Sequence, residues 1–244
     1  MIVGVIPARL KSSRFPKKIL VPLAGKPMVA HVVERAMKSK KLDKVILAID
    51  AEETKEALSD FGFEMVMTSS KHLSGTDRVA EVIKDIDGAE IVINIQGDEP
   101  LVDPKMIDNL ISTFGDPKVG MSTAVSRKLS VGDLLNPNIV KVIIDEKANA
   151  IDFKRNVIDL EIGGVYRHLG IYGFRRNALF KFTYLDPSRN ELERKLEQMR
   201  ALDNGLPIRA IITNCDQWAV DTMEDLEIVA KLIGNQKELI GQDK

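Results

Sequence analysis

The sequence has only one cysteine, Cys215, among its 244 residues. An internal disulfide and a cluster of thiolate metal ligands are therefore excluded, and a reducing compartment fits the chain. No apolar run approaches the roughly 20 residues that a membrane-spanning helix requires. The first apolar stretch also precedes its neighbouring charges instead of following them, unlike a secretory signal. These absences predict a cytoplasmic protein with no membrane partner.

The sequence also lacks an excess of charge of either sign. It has 35 Lys and Arg against 36 Asp and Glu, a formal net charge of −1, so no nucleic-acid partner is expected. It contains no internal repeat, no low-complexity segment and no flexible linker. With 44% hydrophobic residues over this length, the chain can bury a substantial core, and we expect a single domain over residues 1–244.

Short apolar strands alternate with helical patterns in the first half of the chain. This alternation predicts an α/β fold with a mainly parallel, Rossmann-like sheet covered by helices. The predicted strands are "IVGVIP", "KVILAID", "EMVMT" and "IVINIQGDEP". After Gly115 the strand-like segments have few helices between them. They predict a smaller mixed or antiparallel lobe at about 117–185, which is also a candidate for an oligomer contact.

Helical patterns return near the carboxyl terminus. "NELERKLEQMRALDNG" predicts one helix that ends at Gly205, and "MEDLEIVAKLIG" predicts another. The last residues, "NQKELIGQDK", are expected to form a frayed tail.

A basic loop follows the first strand. Ligands of open parallel sheets bind beyond the carboxyl ends of the strands, and Arg9, Arg14 and Lys18 all lie at such an end. These cations suit a triphosphate, with backbone N–H groups lining it. The alternative is a solvated basic loop, but the strand-end position favours phosphate. The segment is not a Walker loop, because it lacks the glycine-lysine spacing of that motif.

Acidic residues follow the fourth predicted strand. Gln96, Gly97, Asp98 and Glu99 come directly after an apolar run, and Mg²⁺ is usually held by one or two protein carboxylates together with substrate phosphates. An ordinary Gly-Asp turn explains the same residues equally well. Asp221, in "AVDTMEDLE", by itself indicates only a helix amino terminus.

Two further segments have simple structural explanations. Ser74 has Asp77 three residues on, which predicts a capped helix start, and Arg78 by itself is typical of a surface residue. His168 and Tyr172 lie at even spacing on one face of a predicted strand. Taken alone, His168 is better explained as a structural histidine than as a catalyst.

Taken together, these segments resemble one family, the CMP-Kdo synthetases or 3-deoxy-manno-octulosonate cytidylyltransferases. The matching blocks occur in order from residue 2 to about 230, and their combination is far more specific than any one of them. They are "IPARLKSSRFPKKIL", "GKPMVAHVVERA", "MVMTSSKHLSGTDR", "INIQGDEP", "NPNIVKVIID", "YRHLGIYGFR", "LEQMRALDNG" and "VDTMEDLE".

The resemblance implies a fold of the nucleotide-diphospho-sugar transferase type, and a reaction. The anomeric hydroxyl of an acidic eight-carbon 2-keto sugar (Kdo) attacks the α-phosphate of CTP, giving CMP-sugar and pyrophosphate. Mg²⁺ is the implied cofactor, lipopolysaccharide or capsule synthesis the implied pathway, and a homodimer the expected assembly.

The resemblance also implies roles for residues that match the family blocks. The implied catalytic residues are Arg9, Lys18 and Asp98, and the implied metal ligands are Asp98 and Asp221. The implied nucleotide-binding residues are Ala8, Arg9, Arg14, Lys18, Ser74, Gly75 and Arg78. The implied sugar-binding residues are Gln96, Arg155, His168, Tyr172, Glu197 and Gln198. Since the sugar brings its own carboxylate, we expect Arg155, with His168 nearby, to select that group.

The chain departs from the family pattern at several positions. Lys17 stands where a glycine is usual, Ile19 where a proline is usual, and Arg194 where a glutamate is usual; "FKRNVID" replaces F-S-R-x-P-I-P. The alternatives are therefore another acid sugar, such as 8-amino-Kdo or a sialic-acid-like sugar, and a non-catalytic nucleotide-binding module. The presence of Asp98, Asp221, Arg9 and Lys18 argues against the module, which has no need for two metal carboxylates.

Overall fold

The structure, a computed structural model, describes residues 1–12, 15–157, 164–216 and 218–241, with the backbone alone for 235–241. The strands are β1 (Ile2–Ala8), β2 (Pro22–Leu23), β3 (Lys26–Pro27), β4 (Lys44–Ile49), β5 (Met65–Met67), β6 (Ile91–Asn94), β7 (Met121–Ser126), β8 (Lys141–Ile144), β9 (Ala150–Lys154), β10 (Val165–Arg175) and β11 (Ile208–Thr213). The α-helices are α1 (Met28–Ala36), α2 (Glu52–Ala57), α3 (Gly75–Lys84), α4 (Pro104–Ser112), α5 (Val131–Leu135), α6 (Arg176–Thr183), α7 (Arg189–Arg194), α8 (Met199–Asp203) and α9 (Met223–Gly241). Short 3₁₀ turns cover Lys18–Leu20, Ser59–Phe61 and Thr113–Gly115.

Seven strands form the main path of a large sheet, in the order β11-β7-β10-β6-β1-β4-β5. β1 is parallel to β4 and β6, β4 to β5, and β7 to β11. β10 runs antiparallel to both of its neighbours on this path, β6 and β7. The predicted mainly parallel α/β sheet is therefore confirmed.

The antiparallel pairings fall in the segment where the sequence changes character. β8 and β9 form a hairpin, and β8 pairs with the first residues of the long strand β10. These strands lie off the main path of the sheet. The division into a main body and a lobe at about 117–185 stays a prediction.

Helices cover both faces of the sheet. Adjacent residues of β1 show why: Val5 packs into one hydrophobic cluster and Ile6 into the other, and both are fully buried. Alternate side chains of a strand point to opposite faces, so a strand that is apolar at every position requires cover on both. α3 and α6 contribute to the first cluster, and α1 and α4 to the second.

The single helix predicted from "NELERKLEQMRALDNG" is wrong. α7 ends at Arg194, Lys195 adopts a left-handed conformation with φ 55°, and α8 begins only at Met199. The break lets Leu196 and Met199 pack into the core, and the gain from this burial outweighs helix propensity. The predicted end at Gly205 is confirmed by its φ of +68°.

The predicted frayed tail is also wrong for the residues that are described. α9 continues without a break to Gly241, and 242–244 lie outside the described residues. Among the described residues, no helix is long and apolar enough to cross a membrane.

Candidate active site

A cleft opens where the chain changes direction across the sheet. From β1 the chain adds β4 and β5 on one side, and then returns to place β6 on the other side of β1. Such a switch point leaves the carboxyl ends of the two neighbouring strands uncovered. This first cleft has a volume of about 300 Å³. It is lined by Pro7, Arg9, Ser12, Lys18, Ile19, His72, Leu73, Ser74, Gly75, Arg78, Gln96, Gly97, Asp98 and Asp221.

Glycines let three loops meet at the base of the cleft. A Cβ atom on Gly97 would lie 2.9 Å from the carbonyl oxygen of Pro7, closer than real Cβ atoms come. A Cβ atom on Gly75 would lie 3.3 Å from the Pro7 ring. The ends of β1 and β6 and the start of α3 therefore pack with almost no side chain between them.

Lys18 connects the two predicted metal carboxylates. Its Nζ atom lies 2.6 Å from Oδ2 of Asp98 and 2.9 Å from Oδ1 of Asp221. Burial of the Lys18 ammonium lowers its pKa, but the charges and hydrogen bonds of the two aspartates raise it more, so the net pKa lies above its ordinary value. Lys18 is therefore a fixed cation between the two carboxylates of the cleft.

Backbone contacts hold the two aspartates near each other. The Val220 N–H donates to the carbonyl oxygen of Asp98 at 2.9 Å, which ties the segment before α9 to the end of β6. The Asp225 carboxylate accepts from the backbone N–H groups of Asp221 and Thr222 at 3.0 and 2.8 Å. The start of α9 thus sets the position of Asp221.

The residues of the cleft fit a divalent cation that also has phosphate ligands. Two carboxylates converge on one ammonium position, and the described residues hold no group of three or more His, Cys, Asp or Glu side chains suited to a metal. Mg²⁺ commonly binds to one or two carboxylates plus substrate phosphates. Asp98 and Asp221 are thus the residues that would hold it, and the Lys18 ammonium would have to leave the carboxylate oxygens that it now binds.

The basic loop and α3 form the opposite wall. Arg9 is exposed and lines the cleft, while Ala8 is fully buried at the end of β1. Asp50 anchors the loop, because its carboxylate accepts from the Leu10 N–H at 2.8 Å and from Arg78 Nη2 at 3.1 Å. Arg14 lies outside the described residues.

The predicted capping box at Ser74 is confirmed. Ser74 Oγ accepts from the Asp77 N–H at 3.1 Å, and the Asp77 carboxylate accepts from the Ser74 N–H at 3.3 Å. Arg78 is only 3% exposed and donates to Thr68 as well as to Asp50. Both residues line the cleft, and the sequence-based expectation of a surface position for Arg78 is wrong.

A second cleft of about 610 Å³ adjoins the first through Asp221, which lines both. Its other lining residues are Asn136, Asn138, Ile139, Val140, Arg167, His168, Gly170, Asp216, Trp218, Ala219, Thr222, Glu224 and Asp225. Of the predicted sugar-binding residues, His168 lines this cleft and Gln96 lines the first one.

Tyr172 on β10 pairs with Asn94, the last residue of β6, and Glu197 contacts Thr76 on α3. Glu197 Oε2 accepts from Thr76 Oγ1 at 3.1 Å, whereas Oε1 is buried with no hydrogen-bond partner among the described residues. Burial raises the pKa of the Glu197 carboxyl. Burial, followed by the Glu197 charge, raises the pKa of the Tyr172 phenol. Gln198 is buried at the start of α8.

Arg155 binds backbone carbonyl groups. Its Nη1, Nε and Nη2 atoms donate to the carbonyl oxygens of Pro137, Arg194 and Lys195 at 2.9, 3.0 and 3.0 Å. It therefore joins the rim of the second cleft to the break before Glu197. The nearby carboxylate of Asp152 pairs with Arg194.

Lys141 is a site residue that the sequence analysis missed. Its side chain is fully buried, and its ammonium donates to the carbonyl oxygens of Asn136 and Ile139, both at 2.8 Å, and to that of Arg155. Burial lowers its pKa. The available signal was a lone lysine within the apolar run "NIVKVII". Such a run predicts a buried strand, and a lysine that is buried there needs hydrogen-bond partners.

Comparison with known proteins identifies a family and several similar chains. The model of the cytidylyltransferase family matches residues 3–211. The 3-deoxy-manno-octulosonate cytidylyltransferase of Geobacter sulfurreducens is 43% identical over 244 residues, covering 93% of this chain and 97% of the relative. The protein of the same name from Chloroherpeton thalassium is 43% identical over 241 residues, covering 95% of this chain and 97% of the relative.

Solved structures similar to this chain include an enzyme with the same activity in its name. CMP:2-keto-3-deoxy-manno-octonic acid synthetase, solved in complex with CTP, has a TM-score of 0.90 at 35% identity, covering 96% of this chain and 99% of the other. The 4-diphosphocytidyl-2C-methyl-D-erythritol synthase of Anaerococcus prevotii, with a TM-score of 0.66, 14% identity and 96% coverage of each chain, shares the fold alone.

The fold and the switch-point cleft define a nucleotidyltransferase. The chain belongs to the family of the 3-deoxy-manno-octulosonate cytidylyltransferases, and the resemblance inferred from the sequence blocks is confirmed.

Proposed function

We propose that this chain transfers a cytidylyl group from CTP to the anomeric hydroxyl of Kdo. The hydroxyl oxygen forms a bond to the α-phosphorus, while the bond between that phosphorus and the oxygen it shares with the β-phosphate breaks. Pyrophosphate leaves, the hydroxyl proton passes to solvent, and CMP-Kdo is the product. The one observation that carries the proposal is the convergence of Lys18, Asp98 and Asp221 at the point where the two clefts join.

The first cleft suits the nucleotide. Arg9 and Lys18 provide positive charge at the end of β1, and the amino terminus of α3 adds its N–H groups and partial positive charge. A triphosphate that enters this cleft would take the Lys18 ammonium as a counter-ion. Phosphoryl transfer depends mainly on positioning and on charge stabilisation, and these groups supply both.

The acidic residues then take a second role. Once Lys18 turns to the phosphates, the carboxylates of Asp98 and Asp221 would still line the same space. A bound Mg²⁺ would neutralise phosphate charge and lower the pKa of a coordinated hydroxyl. Asp221, which lines both clefts, would also help to orient the acceptor sugar.

The second cleft suits the sugar. Arg167 contributes a cation to its lining, and His168 contributes a ring nitrogen. Arg155 and Lys141 add positive charge to the backbone that forms its rim, which offsets the negative charge of an acid sugar that approaches a nucleotide. Among the described residues, the lining also carries the carboxylates of Asp216, Asp221, Glu224 and Asp225, which are suited to accept hydrogen bonds from sugar hydroxyls.

A pyrophosphate-release assay with CTP and Mg²⁺ tests the proposal. We expect release with Kdo and none without an acid sugar. Assays of 8-amino-Kdo and a sialic acid in parallel test the alternative of another acid sugar, which the altered "FKRNVID" segment keeps open. If CTP binds but no acid sugar releases pyrophosphate, the chain is a nucleotide-binding module. The lipopolysaccharide pathway, the homodimer and the cytoplasmic location stay predictions.

A further inference from the structure

His168 lies between a buried hydroxyl and the second cleft. The residue is 7% exposed and lines the cleft. The ring packs edge-on against Phe153, with centroids 5.1 Å apart, and lies 5.5 Å from the Tyr172 ring. These contacts restrict the orientation of the imidazole, so each ring nitrogen has a defined environment.

The hydroxyl of Thr123 determines which nitrogen carries the proton. Thr123 Oγ1 lies 2.8 Å from the carbonyl oxygen of Ile171 and 3.0 Å from His168 Nε2. A carbonyl oxygen only accepts hydrogen bonds, so the hydroxyl proton must lie between Oγ1 and Ile171. The hydroxyl has no second proton, and Nε2 must therefore donate to Oγ1.

An irregularity in β10 creates this arrangement. The pairing of β10 with β7 shifts between Leu169 and Tyr172, so that Leu169 is opposite Ala124 and Tyr172 is opposite Thr123. The carbonyl groups of Leu169 and Ile171 both turn toward the Thr123 hydroxyl, at 3.4 and 2.8 Å. Whichever of the two carbonyl oxygens accepts the hydrogen bond, the hydroxyl proton of Thr123 is used. The assignment of Nε2 as a donor therefore holds in both cases. Strand irregularities of this kind commonly re-aim a side chain beside a site.

The other nitrogen of His168 is then an acceptor. Among the described residues, Nδ1 has no hydrogen-bond partner, and it carries a lone pair if the proton is on Nε2. Burial lowers the pKa of His168 to about 3, so the ring stays neutral at physiological pH. A neutral acceptor repels a carboxylate and attracts a hydroxyl.

We infer that Thr123 is a positioning residue that holds His168 as its Nε2–H tautomer, so that Nδ1 accepts a hydrogen bond from a hydroxyl group of the sugar. This inference rests on the proposed function and deepens it. It differs from the sequence-based hypothesis that His168 helps to select the sugar carboxylate, and the experiments below distinguish the two.

Nuclear magnetic resonance tests the tautomer without turnover. The chain has three histidines, so the ring nitrogens of a ¹⁵N-histidine-labelled sample are few, and the His168 signals are those lost in His168→Gln. We expect protonated Nε2 and unprotonated Nδ1 between pH 5.5 and 8, as a range around the ordinary histidine pKa of about 6.5. Thr123→Ser should preserve this pattern, and Thr123→Val should not. Protonated Nδ1 in the wild-type protein would overturn the inference, whether or not the enzyme is active.

Kinetics test the contact with the sugar. We expect Thr123→Val to raise the KM for Kdo about five- to tenfold while the KM for CTP changes less than about twofold. Thr123→Ser should remain near wild type. A second pair of variants covers the case in which Thr123→Val does not fold. The amide oxygen of Asn can take the place of Nδ1, so His168→Asn should retain more sugar affinity than His168→Gln. Equal sugar KM values in all four variants and the wild type would overturn the inference.

The two proposals fail in different ways. If Kdo releases pyrophosphate but Nδ1 is protonated, the proposed function stands and the inference is wrong. If His168 has the expected tautomer but no acid sugar binds or reacts, the proposed function fails and the hydroxyl contact fails with it. Monodeoxy analogues of Kdo identify the hydroxyl group that contacts His168. The analogue that lacks this hydroxyl should bind the wild-type protein more weakly than Kdo does. His168→Gln should bind that analogue and Kdo with equal affinity.

Discussion

The Nζ atom of Lys18 lies 2.6 Å from Oδ2 of Asp98, although 80 positions separate the two residues in the chain. The same ammonium also binds Asp221, so Lys18 occupies the space between the two carboxylates proposed to hold a metal. A cation that enters this space must displace Lys18, and a triphosphate offers Lys18 another partner.

Replacement of Lys18 by methionine should strengthen Mg²⁺ binding in the absence of nucleotide. Without the Lys18 charge, the repulsion between the two nearby carboxylates increases, and a divalent cation relieves it. We expect the Kd for Mg²⁺, measured by isothermal titration calorimetry, to fall about tenfold, while pyrophosphate release also falls. Lys17→Met is the matched control, because Lys17 pairs with Glu53 on the outside of the loop. Equal Mg²⁺ affinity in Lys18→Met and the wild type would contradict the proposed metal position.

Asp98→Asn should nearly abolish turnover and leave the protein folded. The amide keeps the shape of the side chain but removes the negative charge that pairs with Lys18 and that would bind the metal. We expect a loss in kcat on the order of 100-fold or more, measured by pyrophosphate release, with an unchanged circular dichroism spectrum. Asp87→Asn, at an exposed position, controls for the chemical change. Wild-type turnover in Asp98→Asn would remove Asp98 from the catalytic residues.

Arg155 should tolerate neither alanine nor lysine. A lysine keeps the charge but cannot direct three N–H groups at the carbonyl oxygens of Pro137, Arg194 and Lys195. We expect both variants to lower the free energy of unfolding by about 2–4 kcal/mol, measured by urea denaturation. The KM for the sugar should rise about tenfold, whereas the KM for CTP should change little. Arg189, whose side chain is 88% exposed, provides the control. A defect confined to CTP would separate Arg155 from the sugar site.

Glu197 should make stability depend on pH. Burial raises the pKa of its carboxyl in the folded protein, so the folded state binds this proton more tightly than the unfolded chain. Below the unfolded pKa of about 4.3 both states are protonated. As pH rises through the folded pKa, the buried charge increasingly destabilises the fold.

Glu197→Gln tests this dependence. The substitution should stabilise the protein more at pH 8 than at pH 4, and urea denaturation at both values measures the difference. Glu193→Gln, at a surface position on α7, should show no such trend. The same stability change at both pH values for Glu197→Gln would show that the carboxyl is not charged and buried at pH 8.

Local patterns in the sequence predicted the features that depend on neighbouring residues. The period of the apolar residues gave the parallel strands, and Ser74 with Asp77 gave the start of α3. Strand-end placement alone brought Arg9, Lys18 and Asp98 to one edge, because the carboxyl ends of parallel strands meet there. The family blocks added Asp221, for which local sequence indicated only a helix start.

Long-range packing decided what the sequence analysis missed. The break at Lys195 results from the burial of Leu196 and from the hydrogen bonds of Arg155, 40 residues away. The tautomer of His168 depends on Thr123, 45 residues away, and on an irregularity in strand pairing. No local periodicity carries such information, since each contact depends on elements that meet only in the folded chain.

The position of Asp221 on the wall between the two clefts has a thermodynamic consequence. Any ligand that changes the partner of this carboxylate in one cleft changes the field in the other, so the two binding equilibria are linked. Linkage is reciprocal: the factor by which CTP changes the affinity for the sugar must equal the factor by which the sugar changes the affinity for CTP. A single side chain therefore couples the two clefts, and the sign of this coupling decides whether the ternary complex is more or less stable than the two binary complexes imply.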